Sequence, residues 1–248
     1  MADGPRFKRV LLKISGEALK GTNESPGSVE ADALSNIAEQ VKTVLENGVE
    51  VALVVGAGNF FRGLSGVDRG IHRTTGDYMG MLATVMNALA LRDAFETAGV
   101  DCLVYSALPV SGVAPAVDIR QARQDLAARK VVVFAGGTGH PFFTTDTTAA
   151  LRACEIEADT VLKATKVDGV YSDDPVRNPN AERYQTLSFA KAMHKRLGVM
   201  DSTAFSLCRD NGIKIVVFNF WEPNALVRVT NGDQSIATIV GKSNRKEN

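Results

Sequence analysis

Residues Val131–Glu157 read VVVFAGGTGHPFFTTDTTAALRACEIE. Val131–Ala135 is a short, continuous apolar run, the pattern of a strand buried on both faces. Gly136–Asp146 is a turn rich in glycine and threonine, and Asp146–Glu157 continues as a helix. A strand that passes through such a turn directly into a helix is the repeating unit of a parallel α/β sheet. The glycines allow the backbone to approach a ligand closely. Thr138, His140, Thr144 and Thr145 add hydroxyl and imidazole groups suited to a polar one. Thr145 or Asp146 stands where an N-cap is needed.

The same grammar extends outward in both directions. Val10–Ile14, Val49–Val55, Val100–Ser106, Thr160–Lys163, Ile213–Phe218 and Ile236–Val240 read as further strands. Helical patterns cover Glu30–Glu46, Asp77–Ala98 and Ile119–Arg129, with Gly99 as a stop signal and two short helices within Ser188–Asn211. Asp168–Tyr184 reads as a long polar loop, Gly21–Ser28 as a flexible one and Ser243–Asn248 as a frayed tail. Strands alternating with helices imply a three-layer αβα sandwich around a mostly parallel sheet. Ligands of such sheets bind beyond the carboxyl ends of the strands. Glycine-rich loops follow Ile14, Val55 and Ala135, so three loops converge on one composite site.

Composition narrows the function. Of 248 residues, 45% are hydrophobic and 23% charged, the balance of a soluble globular protein. Lys plus Arg equals Asp plus Glu at 28 each, which argues against a general nucleic-acid or anionic-membrane partner. Cys102, Cys154 and Cys208 are far apart and in no metal-ligand spacing, so reduced thiols of a cytoplasmic protein are expected. Met1–Arg9 lacks the apolar segment of a signal peptide. The most apolar stretch, Tyr78–Leu91, is too short to span a bilayer. One domain over residues 7–241 is expected, with 1–6 and 242–248 as flexible termini.

Several segments carry chemistry. Lys13-Ile14-Ser15-Gly16-Glu17 ends the first strand, where a lysine and exposed N–H groups can meet phosphate. Gly56-Ala57-Gly58-Asn59-Phe60-Phe61-Arg62-Gly63 pairs glycines with an arginine able to fork onto two phosphate oxygens. With Asp77 about 20 residues on, this loop mimics a dinucleotide fingerprint. Phe61, however, stands where the third glycine belongs, and the loop follows the second strand rather than the first. Gly241-Lys242-Ser243 resembles the tail of a P-loop but lacks its leading glycine, Ile236 standing there. In the Thr160–Pro175 segment, Tyr171 can stack on a base and Asp174 can bind a ribose hydroxyl, although a lone loop tyrosine is more often a packing residue.

Taken in order, LLKISGEAL, GNFFRG, GDYMGMLATVMNALALRDA, PFFTTD and EADTVLKATKVDGVY resemble the amino-acid kinase superfamily, specifically its bacterial UMP kinase branch, over about residues 7 to 241. The resemblance implies an acetylglutamate kinase-like fold and ATP-dependent phosphorylation of UMP in pyrimidine nucleotide synthesis. It implies that Lys13, Ile14, Ser15 and Gly16 contact ATP phosphates, with Gly58 and Arg62 near the point of transfer. Thr165, Tyr171 and Asp174 would serve the adenosine side. Ala57, Asp77 and the run Thr138, Gly139, His140, Pro141, Phe142, Phe143, Thr144 and Thr145 would hold UMP. Lys13, Arg62, Asp146 and Asp201 would form the active centre, the two aspartates organising Lys13 or metal. Mg²⁺ would accompany ATP with no certain protein ligand. GTP would activate through Arg92, Asp93 and Lys130, UTP would inhibit, and three dimers would form a hexamer.

The chain departs from the pattern at three places. Ala57 stands where relatives often have glycine, His140 where they often have asparagine, and Leu103 where some carry an arginine tied to GTP. No lysine stands near Val199-Met200-Asp201, where acyl-phosphate-forming cousins carry one. Two rival readings are a glutamate, aspartate or carbamate kinase and a catalytically idle nucleotide-binding protein. GNFFRG and PFFTTD speak against the first; Lys13, Arg62, Asp146 and Asp201 speak against the second.

Overall fold

The computed structural model describes residues 7–21, 27–61, 70–175, 177–178, 180–195 and 197–241. Arg62, both termini and most of the Gly21–Ser28 loop lie outside them. Eight strands form one sheet: β1 (Arg9–Ile14), β2 (Glu50–Val55), β3 (Cys102–Ser106), β4 (Val131–Ala135), β5 (Thr160–Thr165), β8 (Thr186–Leu187), β9 (Lys214–Asn219) and β10 (Ala237–Val240). Their order is β3-β4-β2-β1-β5-β9-β10-β8. Every pairing is parallel except β9 with β10. The segment expected as a plain polar loop carries a small hairpin, β6 (Val170–Tyr171) against β7 (Arg183–Tyr184).

The helices are α1 (Ala31–Glu46), α2 (Arg73–Thr97), α3 (Ile119–Ala127), α4 (Thr145–Glu155), α5 (Phe189–His194), α6 (Ser202–Asp210) and α7 (Ala225–Thr230), with a 3₁₀ turn at Gly16–Lys20. α7 has no counterpart in the sequence reading. At six residues it is too short for a periodic signal, and it starts from Asn224 in a left-handed conformation. α2 begins four residues before Asp77, which places Arg73 one turn from that aspartate.

The period of two along β1 builds both layers. Val10, Leu12 and Ile14 face a core shared with α1, α2 and α7, and Leu11 faces the core beneath α3, α4 and α6. Lys13 follows Leu11 by two residues and so points to the α4 side. In the parallel register Lys13 stands directly opposite Lys163 of β5. β1 and β5 are also where the sheet changes direction of growth: β2, β4 and β3 lie to one side and β9 to the other. That switch point opens a crevice at the carboxyl ends of the strands.

The loops at this edge are pressed together. A Cβ on Gly16 would lie 2.6 Å from the Gly56 carbonyl oxygen, the Gly58 nitrogen and Asn59 Oδ1, so only glycine fits. Asn87, fully buried on α2, holds the cluster. It donates to the Gly56 carbonyl at 2.7 Å and exchanges amide hydrogen bonds with Asn59 at 2.8 and 2.9 Å. α2 leaves one apolar face open. Tyr78, Met79, Leu82 and Met86 are between 39% and 54% exposed and form an apolar stripe on this chain.

Removing the Asn87 amide strands buried polar partners, which costs about 1–3 kcal/mol. Asn87→Ala is expected to lower the urea midpoint of unfolding accordingly, and an unchanged midpoint would show that the amide pair contributes nothing.

Candidate active site

Asp146 lies in the first turn of α4, over the face of the sheet to which Lys13 and Lys163 point. Lys163 Nζ donates to Asp146 Oδ2 at 2.8 Å. Lys13 Nζ stands 3.0 Å from Oδ1, a charge contact without hydrogen-bond alignment. All three side chains are largely buried, at 12–15% exposure. Burial pulls the Asp146 carboxyl upward, but Lys13 and Lys163 outweigh it and hold the group below the ordinary carboxylate value. Burial pushes the Lys163 ammonium down, and Asp146 only partly restores it against the repulsion of Lys13. Lys163 also donates to the carbonyl of Val199. It therefore reaches the very turn in which the sequence shows no lysine.

Asp201 does different work. It N-caps α6 through the Ala204 N–H at 2.9 Å, and its other oxygen accepts from the hydroxyls of Thr144 and of Thr147, the latter at 2.8 Å. Thr144, rather than Thr145 or Asp146, is the N-cap of α4, accepting from the N–H groups of Asp146 and Thr147. Its hydroxyl accepts from those N–H groups and donates to Asp201, which leaves Asp146 free of capping duty. Of the two aspartates expected to organise Lys13, Asp146 touches it. Asp201 instead pins the N-terminus of α4, from which Asp146 projects.

Two cavities flank this centre. One, of about 420 Å³, is lined by Ala57, Gly58, Asp77, Thr138, His140, Phe143, Thr144 and Thr145 among others. Asp77 accepts the Phe142 N–H at 2.8 Å and is gripped by Arg73 Nε at 2.8 and 2.9 Å. Phe142 has a positive φ of 72°, uncommon for a bulky residue, and its ring is 67% exposed. Gly139, Pro141 and Phe142 do not line this cavity; they shape the loop that does. Gly58, expected on the ATP side, lines this one. Arg73 lines it too and was missed, because its partner is visible only once α2 is known to begin before it.

The second cavity, of about 410 Å³, is lined by Lys163, Thr165, Tyr171, Asp174, Lys195 and Val199 among others. Tyr171 donates its hydroxyl to Asp168 at 2.6 Å, and Arg183 holds the same aspartate at 3.1 Å. Lys163 carried no assigned role in the sequence reading. The signal that would have found it is the register of β1 with β5, which is a tertiary fact. The Ile14 side chain is buried in the core, so only its backbone is available to a ligand. Among the described residues no group of three or more His, Cys, Asp or Glu side chains could hold a metal.

Farther away, Arg92 pairs with Glu96 at 3.8 Å on α2, next to Asp93, and Lys130 stands 4.0 Å from Asp125. Leu103 packs partly buried against the α3 side of the core. The three cysteines are free, and burial pushes the Cys102 and Cys208 thiols up to about 12. No helix among the described residues is long and apolar enough to cross a membrane.

Comparison with known proteins agrees with this geometry. The model of the amino acid kinase family matches residues 8–219. A uridylate kinase of Legionella pneumophila (strain Paris) is 52% identical over 236 residues, spanning 95% of this chain and 94% of the relative. A uridylate kinase of Stutzerimonas stutzeri (strain A1501) is 49% identical over 243 residues, spanning 98% and 97%. The crystal structure of UMP kinase from Ureaplasma parvum superposes with a TM-score of 0.89 at 37% identity, covering 96% of this chain and all of that one. That of UMP kinase from Bacillus anthracis gives 0.91 at 34% identity, covering 96% and 97%.

The buried triad yields a pH-dependent expectation. Asp146→Asn leaves two lysines without their counter-charge and should cost about 3–5 kcal/mol at neutral pH. Because the folded carboxyl is held below 3.8, this stabilisation is fully present above that value and is lost as pH falls through the lower, folded one. Urea denaturation of both proteins from pH 7 to pH 3 should therefore show a steady gap that narrows only at the acid end.

Proposed function

The chain belongs to the amino acid kinase family, in its uridylate kinase branch, and from that premise we propose how its residues serve the reaction. It is a kinase that transfers the γ-phosphoryl group of ATP to UMP, giving ADP and UDP. The observation that carries the assignment of sites is a pair of cavities at the switch point of the sheet, one lined by Thr144 and Thr145 at the start of α4 and the other by Lys163, the partner of Asp146.

UMP occupies the cavity between the Gly56–Phe61 loop and the Gly136–Thr145 turn. Ala57 offers its backbone to the acceptor, Asp77 the ribose contact, and Thr138, Phe143, Thr144 and Thr145 the uracil edges, with His140 on the base side. ATP occupies the second cavity, with Tyr171 against the base, Asp174 on the ribose and Thr165 beside them. Lys13–Gly16 and Gly58 supply cationic and N–H contacts to its phosphates. Arg62, outside the described residues, completes the clamp at the point of transfer.

The nucleophile needs no strong base. The second pKa of a phosphomonoester is about 6, so the UMP phosphate is already largely dianionic at neutral pH. What the site must supply is charge neutralisation and in-line alignment of two polyanions. Mg²⁺ fits as an ion carried by ATP, where it would supply neutralising positive charge. The nearest carboxylates, Asp146 and Asp201, are engaged by lysines, threonines and a backbone N–H. Phosphate and water therefore provide the ligands.

Assembly and regulation follow from the same reading. The exposed stripe of α2 packs on its copy in a dimer, and three dimers form a cytoplasmic hexamer. UTP inhibits by occupying the acceptor cavity. GTP activates between subunits through Arg92, Asp93 and Lys130, more weakly than in relatives with arginine at both positions, because Leu103 offers no guanidinium and Lys130 lacks the bidentate fork.

Two measurements test this reading. In a coupled assay of ADP release with ATP and Mg²⁺, UMP should support turnover, CMP far less and glutamate none. Equal kcat/KM for UMP and CMP would remove the assignment to this branch. Light scattering should return a mass several-fold above 26.5 kDa, and Leu103→Arg should tighten half-saturation in a GTP titration without altering activity in its absence.

A further inference from the structure

Among the described residues that line the acceptor cavity, Asp77 is the one carboxylate and Arg73 the one guanidinium. They stand one turn apart at the start of α2, and Arg73 Nε donates to both Asp77 oxygens, at 2.8 and 2.9 Å. Asp77 Oδ2 also accepts the Phe142 N–H at 2.8 Å, and the Arg73 guanidinium carbon lies 5.6 Å from the centre of the Phe142 ring. Three residues from two segments thus close a triangle. It ties the first turn of α2 to the turn that runs into α4, and both segments wall the cavity.

This triangle does little for stability. The Arg73 side chain is 38% exposed, and an exposed ion pair at i,i+4 contributes little to folding. Yet Phe142 is held at a φ of 72° with its ring 67% exposed, an unfavourable backbone angle with no core packing in return. Strain kept beside a cavity in this way points to a functional constraint. Charge supplies the second argument. A phosphomonoester is largely dianionic at neutral pH, its second pKa being about 6. A bare carboxylate in the same cavity would repel it. With Arg73 in place the pair sums to zero; without it, one negative charge faces the acceptor.

We propose that Arg73 is a positioning residue of the acceptor site. It fixes the Asp77 carboxylate and the Phe142 turn in one geometry, and it cancels the charge that Asp77 would otherwise turn on a dianionic phosphomonoester. The inference rests on the UMP kinase reading above, in which Asp77 meets the ribose. Asp77 then accepts from neutral hydroxyls at one end of the acceptor without repelling the phosphate at the other. Arg73 acts through Asp77 and needs no contact of its own with the substrate.

The experiment measures the KM for UMP and for ATP, kcat and melting temperature in five full-length proteins: wild type, Arg73→Met, Arg73→Lys, Asp77→Asn and the double variant Arg73→Met/Asp77→Asn. Arg73→Met should raise the UMP KM about tenfold and leave the ATP KM, kcat and melting temperature near wild type. Added KCl should shrink this defect, because salt screens repulsion between partly exposed charges. Arg73→Lys keeps the charge and should recover most of the loss. In the Asp77→Asn background, Arg73→Met should move the UMP KM by less than about twofold. A UMP KM for Arg73→Met within about twofold of wild type would overturn the proposal. So would an equal rise in both backgrounds, which makes Arg73 a direct substrate contact, or a defect that neither salt nor lysine relieves. A parallel rise in the ATP KM with a fall in melting temperature would overturn it as well, making Arg73 a scaffold residue. Absence of UMP-dependent ADP release from the wild type itself would instead overturn the functional reading on which the proposal stands.

Discussion

The Asp146 carboxylate, held between the ammonium groups of Lys13 and Lys163, is the constraint on which the rest of the structure depends. Each member comes from a different element, and each is placed by a separate physical rule. Side-chain alternation aims Lys13 and Lys163 at the same face. Parallel pairing sets them opposite one another. The N-terminus of α4 delivers Asp146 above them, and Thr144 with Asp201 fixes where that helix starts. A shift of one residue in the register of β5 would turn Lys163 to the opposite face and leave the carboxylate with one partner.

Around the triad the polypeptide has given up side chains so that backbones can meet. The Gly16 and Gly56–Gly58 segments approach within distances that no Cβ could occupy, and the Asn59–Asn87 amide pair pays for the buried carbonyl there. Two cavities of similar volume open at this edge of the sheet. A site of this form suits a reaction between two anions, since its donors are fixed before either substrate arrives.

The second cavity is built differently from the first. Its wall is the short β6–β7 hairpin, tied down through Asp168 by Tyr171 and Arg183 and through Thr238 to β10. The first cavity is instead built on α2 and on the turn into α4.

The sequence by itself determined the class of the fold, most strand positions, the glycine-rich loops at the strand ends and part of the lining of the two cavities, Ala57, Asp77, Thr138 and Thr145 among others on one side and Thr165, Tyr171 and Asp174 on the other. Those features are local: apolar runs, glycine and threonine clusters and helical periodicity are each written within a few residues. It misjudged what depends on where a helix begins or what lies beside it. Thr144 took the cap expected of Thr145 or Asp146, because Asp201, 57 residues away, accepts its hydroxyl proton. One apolar face of α2 is left open by the other described residues of this chain. Lys163 and Arg73 acquired meaning only in three dimensions. Strand register brought one to Asp146, and an extra turn of helix brought the other to Asp77. Pairings across a sheet and across a crevice are set by the packing of whole elements, and that packing alone decides which of several similar charges meet.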